Sequence, residues 1–404
     1  MYYRRELENK VIEMNKSFPV LLITGPRQVG KTTMLKKVAG DNRNYVTLDN
    51  PMIRELAKND PGLFLESYPP PIIIDEIQYA PELLAYIKIY VDEKKEKGNF
   101  WLTGSQMFHL MKNVSESLAG RVGIINMLGF STSEINKVAG SKYITNIDDL
   151  REKNKRYKKM DVKQVFERIY KGSMPALYEI DQDIESYYSS YLNTYIQRDI
   201  KELAQVGNEL DFMKFMVACA ARTSQMLNLA DISRDIGITS QTAKRWLSIL
   251  VSSGIVILVE AYSNNALKRV IKAPNLYFLD TGLCAYLTRW TSSDVLEVSA
   301  MSGAFFETYV VSEIVKSYYN QGKRPPIYYY RDKDQKEIDL IIEENNELSP
   351  IEIKKSSNPK KDAIKHFSIL DKTKKNVGMG NVICLSQDLI PIDRSNYIVP
   401  VWLV

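Results

Sequence analysis

FPVLLITGPRQVGKTT, residues 18–33, is the stretch that decides the fold of this 404-residue chain. Its apolar run at residues 20–23 predicts a buried strand of a parallel sheet, and residues 33–38 predict a helix. Between them stands G-x-x-x-x-G-K-[ST], which predicts a phosphate-binding loop (P-loop) when a strand precedes it and a helix follows it. The residues expected to bind the nucleotide are Gly25, Pro26, Arg27, Gln28, Val29, Gly30, Lys31, Thr32 and Thr33.

The chemistry of this loop predicts ATP and Mg²⁺ as cofactors. Its glycines let the backbone bend so that N–H groups point at an anion, and the helix N-terminus adds partial positive charge. Lys31 is expected to reach the β- and γ-phosphates and to act in catalysis. The Thr32 hydroxyl is expected to ligate Mg²⁺.

A second motif, IIIDE at residues 72–76, predicts another buried strand that ends in two acids. This is a Walker B pattern, in which Asp75 would hold Mg²⁺ and Glu76 would orient and polarise the attacking water. The alternative is a buried strand that simply ends in two solvated carboxylates. The P-loop upstream favours the nucleotide role.

Two further positions are candidates for contact with the nucleotide. Ser105 follows the strand predicted by FWLTG at residues 100–104 and could act as a sensor, although an ordinary strand-to-loop turn is equally compatible. Arg121 follows SESLAG and could act as an arginine finger that spreads transition-state charge. A surface arginine or a salt bridge is the alternative for Arg121.

The motifs GPRQVGKTT, LDNP, IIIDEIQYAPELL, FWLTGSQ and SESLAGRV occur in that order. Together they resemble a large prokaryotic group of AAA-type ATPases that carry a C-terminal domain of unknown function. The resemblance runs over the whole chain. It implies nucleotide roles for Lys31, Thr32, Asp75 and Glu76, and it favours those given to Ser105 and Arg121.

Residues 227–262 predict a helix-turn-helix with a wing. Helices are expected at 229–236 and 241–251, with Thr239 as the N-cap of the second and a strand at 255–262. The exposed residues of the second helix that would suit phosphates and base edges are Ser240, Gln241, Lys244 and Arg245. The alternative is a winged helix that serves as a packing module or a nucleotide lid.

The C-terminal region predicts a helix at 303–319, then a strand, then a hairpin turning at Asn345 and Asn346. Side chains alternate along a strand, so Glu352 and Lys354 share a face and Asp339 on the neighbouring strand can meet them. These residues resemble the PD-(D/E)XK nuclease core, with Glu307 as a helix acid. In that interpretation Asp339, Glu352 and Glu307 bind metal, and Lys354 neutralises developing charge. An inert, inherited nuclease fold is the alternative.

Composition sets wider bounds. The 54 basic and 49 acidic residues give a net charge of +5, which decides nothing about nucleic acid. Three scattered cysteines and two histidines argue against zinc motifs, disulfides and most His-based sites, and the cysteines predict a cytoplasmic protein. No apolar run approaches the length of a membrane span, so none is expected. The charge-rich stretch REKNKRYKKMDVK at residues 151–163 could contact phosphates, or form a solvated helix face or linker.

The predicted architecture is α/β. It comprises a P-loop AAA-type ATPase domain (1–131), a helical region (132–225), a winged helix-turn-helix (226–263) and an α/β PD-(D/E)XK nuclease-like domain (264–404). The expected function is Mg²⁺-dependent ATP binding and hydrolysis in a DNA-associated protein whose ATP state controls the nuclease-like domain. The alternative is a nucleotide-switched protein-interaction module with an inert nuclease-like domain. A homo-oligomer is left open.

Overall fold

Two sheets organise the molecule. The computed structural model describes residues 2–104, 114, 116–180, 182–195, 209–263 and 272–404. Ser105, the candidate sensor, lies outside the described residues.

The N-terminal sheet is built from five parallel strands in the order β2-β3-β4-β1-β5. They are β1 (Val20–Thr24), β2 (Asn44–Thr47), β3 (Ile72–Asp75), β4 (Phe100–Gly104) and β5 (Val122–Asn126). The helices are α1 (Leu7–Asn15), α2 (Lys31–Ala39), α3 (Pro51–Asn59), α4 (Pro61–Ser67) and α5 (Leu83–Lys94). All strands point the same way, so the ends of β1, β3 and β4 meet at one edge, where α/β sheets bind ligands.

The segment after this sheet is mainly helical in its described part, as the sequence predicts. Its helices are α6 (Thr132–Ile135), α7 (Ile147–Arg156), α8 (Val162–Lys171), α9 (Ala176–Glu179), α10 (Ile184–Tyr195) and α11 (Glu209–Ala220). A capping box starts α8, since the Asp161 side chain accepts from the backbone of Gln164 and the Gln164 side chain accepts from that of Asp161.

The next elements are α12 (Leu229–Ile236), α13 (Ser240–Ser252) and the strands β6 (Gln225–Met226), β7 (Val256–Ala261) and β8 (Asn275–Phe278). Gly237 ends α12 with a φ of 81°, a left-handed conformation that glycine adopts without a Cβ clash. Thr239 caps α13, as predicted, by accepting the N–H of Thr242 at 3.1 Å. Strand β8 pairs with both β7 and β6.

The C-terminal elements are α14 (Thr281–Leu287), α15 (Ser293–Val298), α16 (Ser302–Tyr319), β9 (Ile327–Arg331), β10 (Glu337–Glu344), β11 (Glu347–Lys354), β12 (Asn376–Val377), β13 (Gly380–Cys384), β14 (Ile390–Pro391) and β15 (Asn396–Pro400). The predicted hairpin is β10–β11. Asn345 and Asn346 form its two-residue turn with φ values of 50° and 62°, the left-handed region that asparagine tolerates.

One sheet runs through two units. The first, named here the helix-turn-helix unit, consists of α12, α13 and β6 to β8, and the second, the C-terminal unit, consists of the elements from α14 to β15. The order of this sheet is β14-β15-β13-β11-β10-β9-β7-β8-β6, with β12 beside β11. Strand β7 joins β9 through the parallel pairs Glu260–Tyr328 and Ala261–Tyr329. The boundary expected between residues 263 and 264 therefore falls between strands that pair with each other. No helix in the described residues has the length and apolar character needed to span a membrane.

Candidate functional site

The P-loop has the backbone that the motif requires. Gly25, Gln28 and Gly30 all have positive φ, at 139°, 61° and 90°. A Cβ on Gly25 would lie 1.9 Å from the Met127 carbonyl oxygen, so only glycine fits where the loop leaves β1. The Lys31 ammonium is buried inside the loop and donates to the carbonyls of Gly25 at 3.0 Å and Pro26 at 2.7 Å.

Thr32 and Asp75 meet across the sheet edge. The Thr32 hydroxyl donates to Asp75 Oδ1 at 2.7 Å, and Tyr45 Oη donates to Asp75 Oδ2 at 3.0 Å. Asp75 is 8% exposed and lies at the end of β3. The structure thus brings together a hydroxyl and a carboxylate, the oxygen ligands that suit Mg²⁺. These two ligands fit the Mg²⁺ ion that the P-loop motif implies.

Thr103 is a site residue that the sequence interpretation missed. It lies on β4, between the P-loop strand and β3, and its hydroxyl donates to Asp75 Oδ1. The same hydroxyl accepts the backbone N–H of Glu76 at 3.2 Å. A single threonine therefore links the two acids of the Walker B motif. The signal in the sequence was its place in the strand that ends at the sheet edge, immediately before Gly104 and Ser105.

Glu76 lies in a left-handed conformation with a φ of 59°, which is uncommon for a residue with a side chain. Gln78 Nε2 donates to Glu76 Oε2 and orients the carboxylate. Left-handed backbone at a non-glycine residue often marks a functional site. Gln78 is a second residue that the sequence interpretation did not single out.

Arg121 lies far from the P-loop of its own chain. Val122 pairs with Val20, so Arg121 stands beside the start of β1, a strand length of about 17 Å from the loop at the other end. Its guanidinium forms a forked pair with Asp92 on α5, at 2.6 and 2.9 Å. This is the salt-bridge alternative, and it excludes a direct role for Arg121 at its own chain's nucleotide in this arrangement.

A buried arginine near the N-terminus holds the outer side of the P-loop. Arg5 is 3% exposed, and it donates to the carbonyl oxygens of Val29 at 2.7 Å and Leu128 at 2.8 Å. Its Nε pairs with Glu134 of α6 at 2.8 Å. No sequence motif pointed to this residue. Its buried charge is compensated by one carboxylate and by carbonyl oxygens.

Elements outside the first sheet also contact the loop. Tyr187 of α10 donates its Oη to Gln28 Oε1 at 2.9 Å. Gly254, two residues after the end of α13, approaches Pro26 so closely that a Cβ there would lie 3.0 Å from the proline ring. The P-loop is therefore packed against the helix-turn-helix unit. The four candidate recognition residues of α13, Ser240, Gln241, Lys244 and Arg245, are all exposed.

The second candidate site is in the β10–β11 hairpin. Leu340 pairs with Ile351, so the preceding Asp339 lies beside Glu352, as predicted. Lys354 Nζ is 2.5 Å from Glu352 Oε1 and 3.8 Å from Asp339 Oδ2. Asp339 Oδ2 also accepts the backbone N–H of Ile353 at 2.7 Å. The three residues of the D…E-x-K pattern therefore form one cluster.

The acids of this cluster resist ionisation. Burial and then the charge of Asp339 raise the pKa of Glu352 to about 7, against the opposing effect of Lys354. Burial and the charge of Asp339 also raise the pKa of Glu307, on α16, to about 8. Burial raises the pKa of Asp339 as well. Carboxylates held close together and desolvated are stabilised by a bound cation.

Glu307 lies close enough to Asp339 to feel its charge, and its Oε1 accepts a hydrogen bond from the Tyr277 hydroxyl at 2.7 Å. Across the described ranges, no group of three or more His, Cys, Asp or Glu side chains is arranged to hold a metal ion. The carboxylates that lie side by side and could bind a metal ion are the pair Asp339 and Glu352. A direct role for Glu307 stays a prediction.

A groove of about 390 Å³ opens beside Glu352 and Lys354. Its lining carries the lysines Lys355, Lys360 and Lys365 together with His366 and one further acid, Asp362. Polyanions are attracted to such a surface by charge. Three lysines that follow the hairpin, Lys355, Lys360 and Lys365, therefore lie where a phosphate backbone could run.

The raised pKa of Glu307 makes a prediction for stability. Between the ordinary pKa of glutamate and about 8, the folded protein keeps a proton that the unfolded chain releases, so the free energy of unfolding falls as the pH rises. Glu307→Gln removes this titration and keeps an oxygen for Tyr277. We expect the variant to have a higher Tm than the parent at about pH 8 and a similar one at about pH 5.

The measurement is thermal unfolding at both pH values, with the exposed Glu66→Gln as the control. The control should leave Tm unchanged at each pH. A Glu307→Gln variant that is less stable than the parent at about pH 8 would contradict the assignment of Glu307 as a buried, destabilising acid.

Comparison with known families divides the chain into three parts. Residues 17–136 match the family model described as an AAA domain. Residues 162–294 and 302–404 each match a domain of unknown function, DUF8612 and DUF4143 respectively. The first match and the parallel P-loop sheet together support an AAA-type ATPase domain. The matches to the other two segments carry no function with them.

Relatives of the chain extend over most of its length. Two uncharacterized proteins, Rv2008c of Mycobacterium tuberculosis and Mb2031c of Mycobacterium bovis, are each 27% identical over 346 residues, 84% of this chain and 71% of theirs. The Walker-type ATPase paby2304 of Pyrococcus abyssi is 16% identical with a TM-score of 0.44 over 71% of this chain and 96% of its own. A RuvB variant of Thermotoga maritima is 18% identical with a TM-score of 0.29 over 66% and 91%. Superpositions this loose establish no common fold for the whole chain.

Proposed function

We propose that the protein is a Mg²⁺-dependent ATPase that associates with DNA and whose nucleotide state controls its C-terminal, nuclease-like domain. The observation that carries the ATPase part is the contact between Thr32 and Asp75 at the mouth of a P-loop. The controlled activity rests on the cluster of Asp339, Glu352 and Lys354.

Each residue at the P-loop has a distinct task in this proposal. The loop N–H groups and Lys31 bind the β- and γ-phosphates, for which Lys31 leaves the carbonyls of Gly25 and Pro26. Thr32 and Asp75 would hold Mg²⁺, which would supply positive charge beside the phosphate oxygens. Glu76, oriented by Gln78, positions the attacking water and accepts its proton.

A chain of buried polar contacts supports control of one site by the other. Arg5 touches the P-loop carbonyl of Val29 and pairs with Glu134. Two residues before Glu134, the backbone N–H of Thr132 donates to Glu313 Oε2 of α16 at 2.7 Å. Helix α16 also carries Glu307, six residues or about 9 Å along its axis. A shift of the P-loop would thus reach the helix behind the carboxylate cluster.

Two surfaces support association with DNA. The basic groove beside Glu352 offers lysines to phosphates, and the exposed face of α13 offers Lys244 and Arg245 together with the shorter polar residues. In a winged helix, the equivalent second helix reads the major groove. Asp339 and Glu352 would hold a divalent ion that activates water for attack on a phosphodiester, with Lys354 beside the developing charge.

The second candidate function is a nucleotide-switched interaction protein in which the hairpin cluster cuts nothing. The contact between Gly254 and Pro26 favours it, because the helix-turn-helix unit packs on the P-loop and would move with it. In a homo-oligomer, Arg121 could act on a neighbouring chain only by leaving Asp92.

The test measures metal-dependent DNA cleavage by the full chain with ATP, with ADP and without nucleotide. In the parent, we expect the cleavage rate to depend on the nucleotide. Lys31→Ala should abolish that dependence because it removes the phosphate-binding ammonium. Lys37→Ala, an exposed lysine on the same helix, is the matched control and should behave as the parent.

The outcomes separate the two functions. Cleavage that responds equally to nucleotide in the parent and in Lys31→Ala would contradict control through the P-loop. A conformational change on ATP binding, with no cleavage under any condition, would favour the interaction protein. No ATP hydrolysis by the parent would overturn the ATPase proposal itself.

A further inference from the structure

A cavity of about 260 Å³ lies between the end of α6, the loop that precedes α8 and the carboxyl half of α8. It is much larger than the ~30 Å³ that a water molecule occupies in the liquid. Four cations and one acid line it, namely Lys158, Lys159, Arg168, Lys171 and Glu167. Lys159 is paired with Asp388 at 2.8 Å, which leaves three cations and one acid at the cavity.

Arg168 is the residue that makes this cavity more than a basic surface. Its Nη2 donates to Asn136 Oδ1 at 3.4 Å, and its Cζ lies 5.6 Å from the centroid of the Tyr178 ring. Its Nη1 is buried and has no hydrogen-bond partner among the residues that the structure describes. A guanidinium keeps its charge at all relevant pH values, and buried charged donors are nearly always paired. No carboxylate of the described residues forms an ion pair with Arg168, so an anion that enters the cavity would meet on this lining residue a charge that no acid compensates.

We propose that this cavity, defined by Asn136, Lys158, Arg168 and Lys171, binds a phosphate group. A phosphate presents several oxygens at the spacing of a guanidinium fork, and Arg168 is already oriented for it by Asn136 and Tyr178. Lys158 and Lys171 add attraction for a doubly charged anion. This site is separate from the P-loop. One of its residues, Lys158, belongs to the charge-rich stretch at residues 151–163.

The position of the cavity gives the bound phosphate a bridging role. Asn136 ends the AAA match, Arg168 lies in the middle segment, and Asp388 belongs to the C-terminal one. Gln387 Nε2 also donates to the carbonyl of Met160 at 3.0 Å, which fixes the loop against the C-terminal unit. A phosphate held here would tie the three segments together.

Two sources can supply this phosphate. One is a free phosphate or a small phosphorylated molecule. The other is the backbone of a nucleic acid that also follows the groove beside Lys354. Lys355 of that groove packs on Phe166 of α8, with its Nζ 5.2 Å from the ring centroid, on the side of the helix away from Arg168, so a nucleic acid would have to pass around α8 to reach both. Only this second source rests on the proposed function.

The experiment uses the full chain carrying Lys31→Ala, so that the P-loop does not bind the probe. Inorganic phosphate and pyrophosphate are titrated by calorimetry. Adding Arg168→Gln should weaken binding by about tenfold or more, since a charge-assisted fork is lost. Arg168→Lys, which keeps the charge without the fork, should fall between the two. Arg156→Gln removes an exposed charge from the same stretch and should change nothing.

A duplex oligonucleotide, titrated at several salt concentrations, distinguishes the sources. If the ligand is a nucleic-acid backbone, Arg168→Gln should reduce the slope of log affinity against log salt by about one, and pyrophosphate should compete. If it is a free phosphate, the slope should stay unchanged while phosphate binding is lost. No phosphate binding by the parent, or equal binding by a folded Arg168→Gln variant, together with an unchanged slope, would overturn the site.

Discussion

Glu76→Gln is expected to lower ATP turnover by about 10²- to 10⁴-fold, the contribution typical of a general base. Glutamine keeps the size and the hydrogen-bonding reach of the side chain, so Gln78 can still hold it near Asp75. It cannot accept a proton from the attacking water. ATP binding should remain, because Lys31, Thr32 and Asp75 are unchanged.

Two measurements check this result, single-turnover ATP hydrolysis and equilibrium binding of a labelled nucleotide. Glu82→Gln, an exposed glutamate six residues along the chain, is the matched control and should leave both unaltered. Wild-type hydrolysis by a folded Glu76→Gln variant would remove Glu76 from the catalytic role. Loss of binding would instead assign it to nucleotide affinity.

Asp339→Asn is expected to abolish divalent-metal-dependent DNA cleavage and to leave ATP hydrolysis unchanged. The substitution removes one of the two carboxylates that would hold the ion, while an amide oxygen remains for the N–H of Ile353. Loss of metal-assisted activation corresponds to several kcal/mol, a factor of about 10² or more in rate. ATP turnover is expected to persist because the P-loop residues are untouched.

Cleavage of a DNA duplex with Mn²⁺ or Mg²⁺ is measured beside ATP hydrolysis on the same preparations. Asp334→Asn, in the exposed turn before β10, is the control. Undiminished cleavage by Asp339→Asn would contradict the assignment of this cluster as a nuclease site. Absence of cleavage and of metal binding in the parent would leave the interaction protein as the better proposal.

Local patterns carried most of what the sequence could predict. The P-loop, the end of β3, the cap at Thr239 and the Asn345–Asn346 turn are each fixed by a few adjacent residues. The meeting of Asp339 with Glu352 and Lys354 follows from strand alternation and one short turn. These elements agree with the structure because the physics that sets them acts over short separations along the chain.

Contacts between distant segments could not be predicted in the same way. Arg5 reaches Val29, Leu128 and Glu134, and nothing in the composition around it marks a buried arginine. Thr103 lies in a strand whose neighbours are set only by the sheet order. Arg121 follows a motif that suggested an arginine finger. Strand register nevertheless places it at the end of β1 opposite the P-loop.

The continuous sheet through β7 and β9 has a thermodynamic consequence. Paired strands lose their backbone hydrogen bonds together, so the helix-turn-helix unit and the C-terminal unit are coupled in unfolding and are not independent parts. A fragment beginning at residue 264 would lack β6 and β7, so β8 would lose its partners and the edge of β9 would be exposed. An exposed strand edge promotes aggregation. Truncation at that point would report on a damaged sheet, whereas point substitutions in the full chain leave it whole.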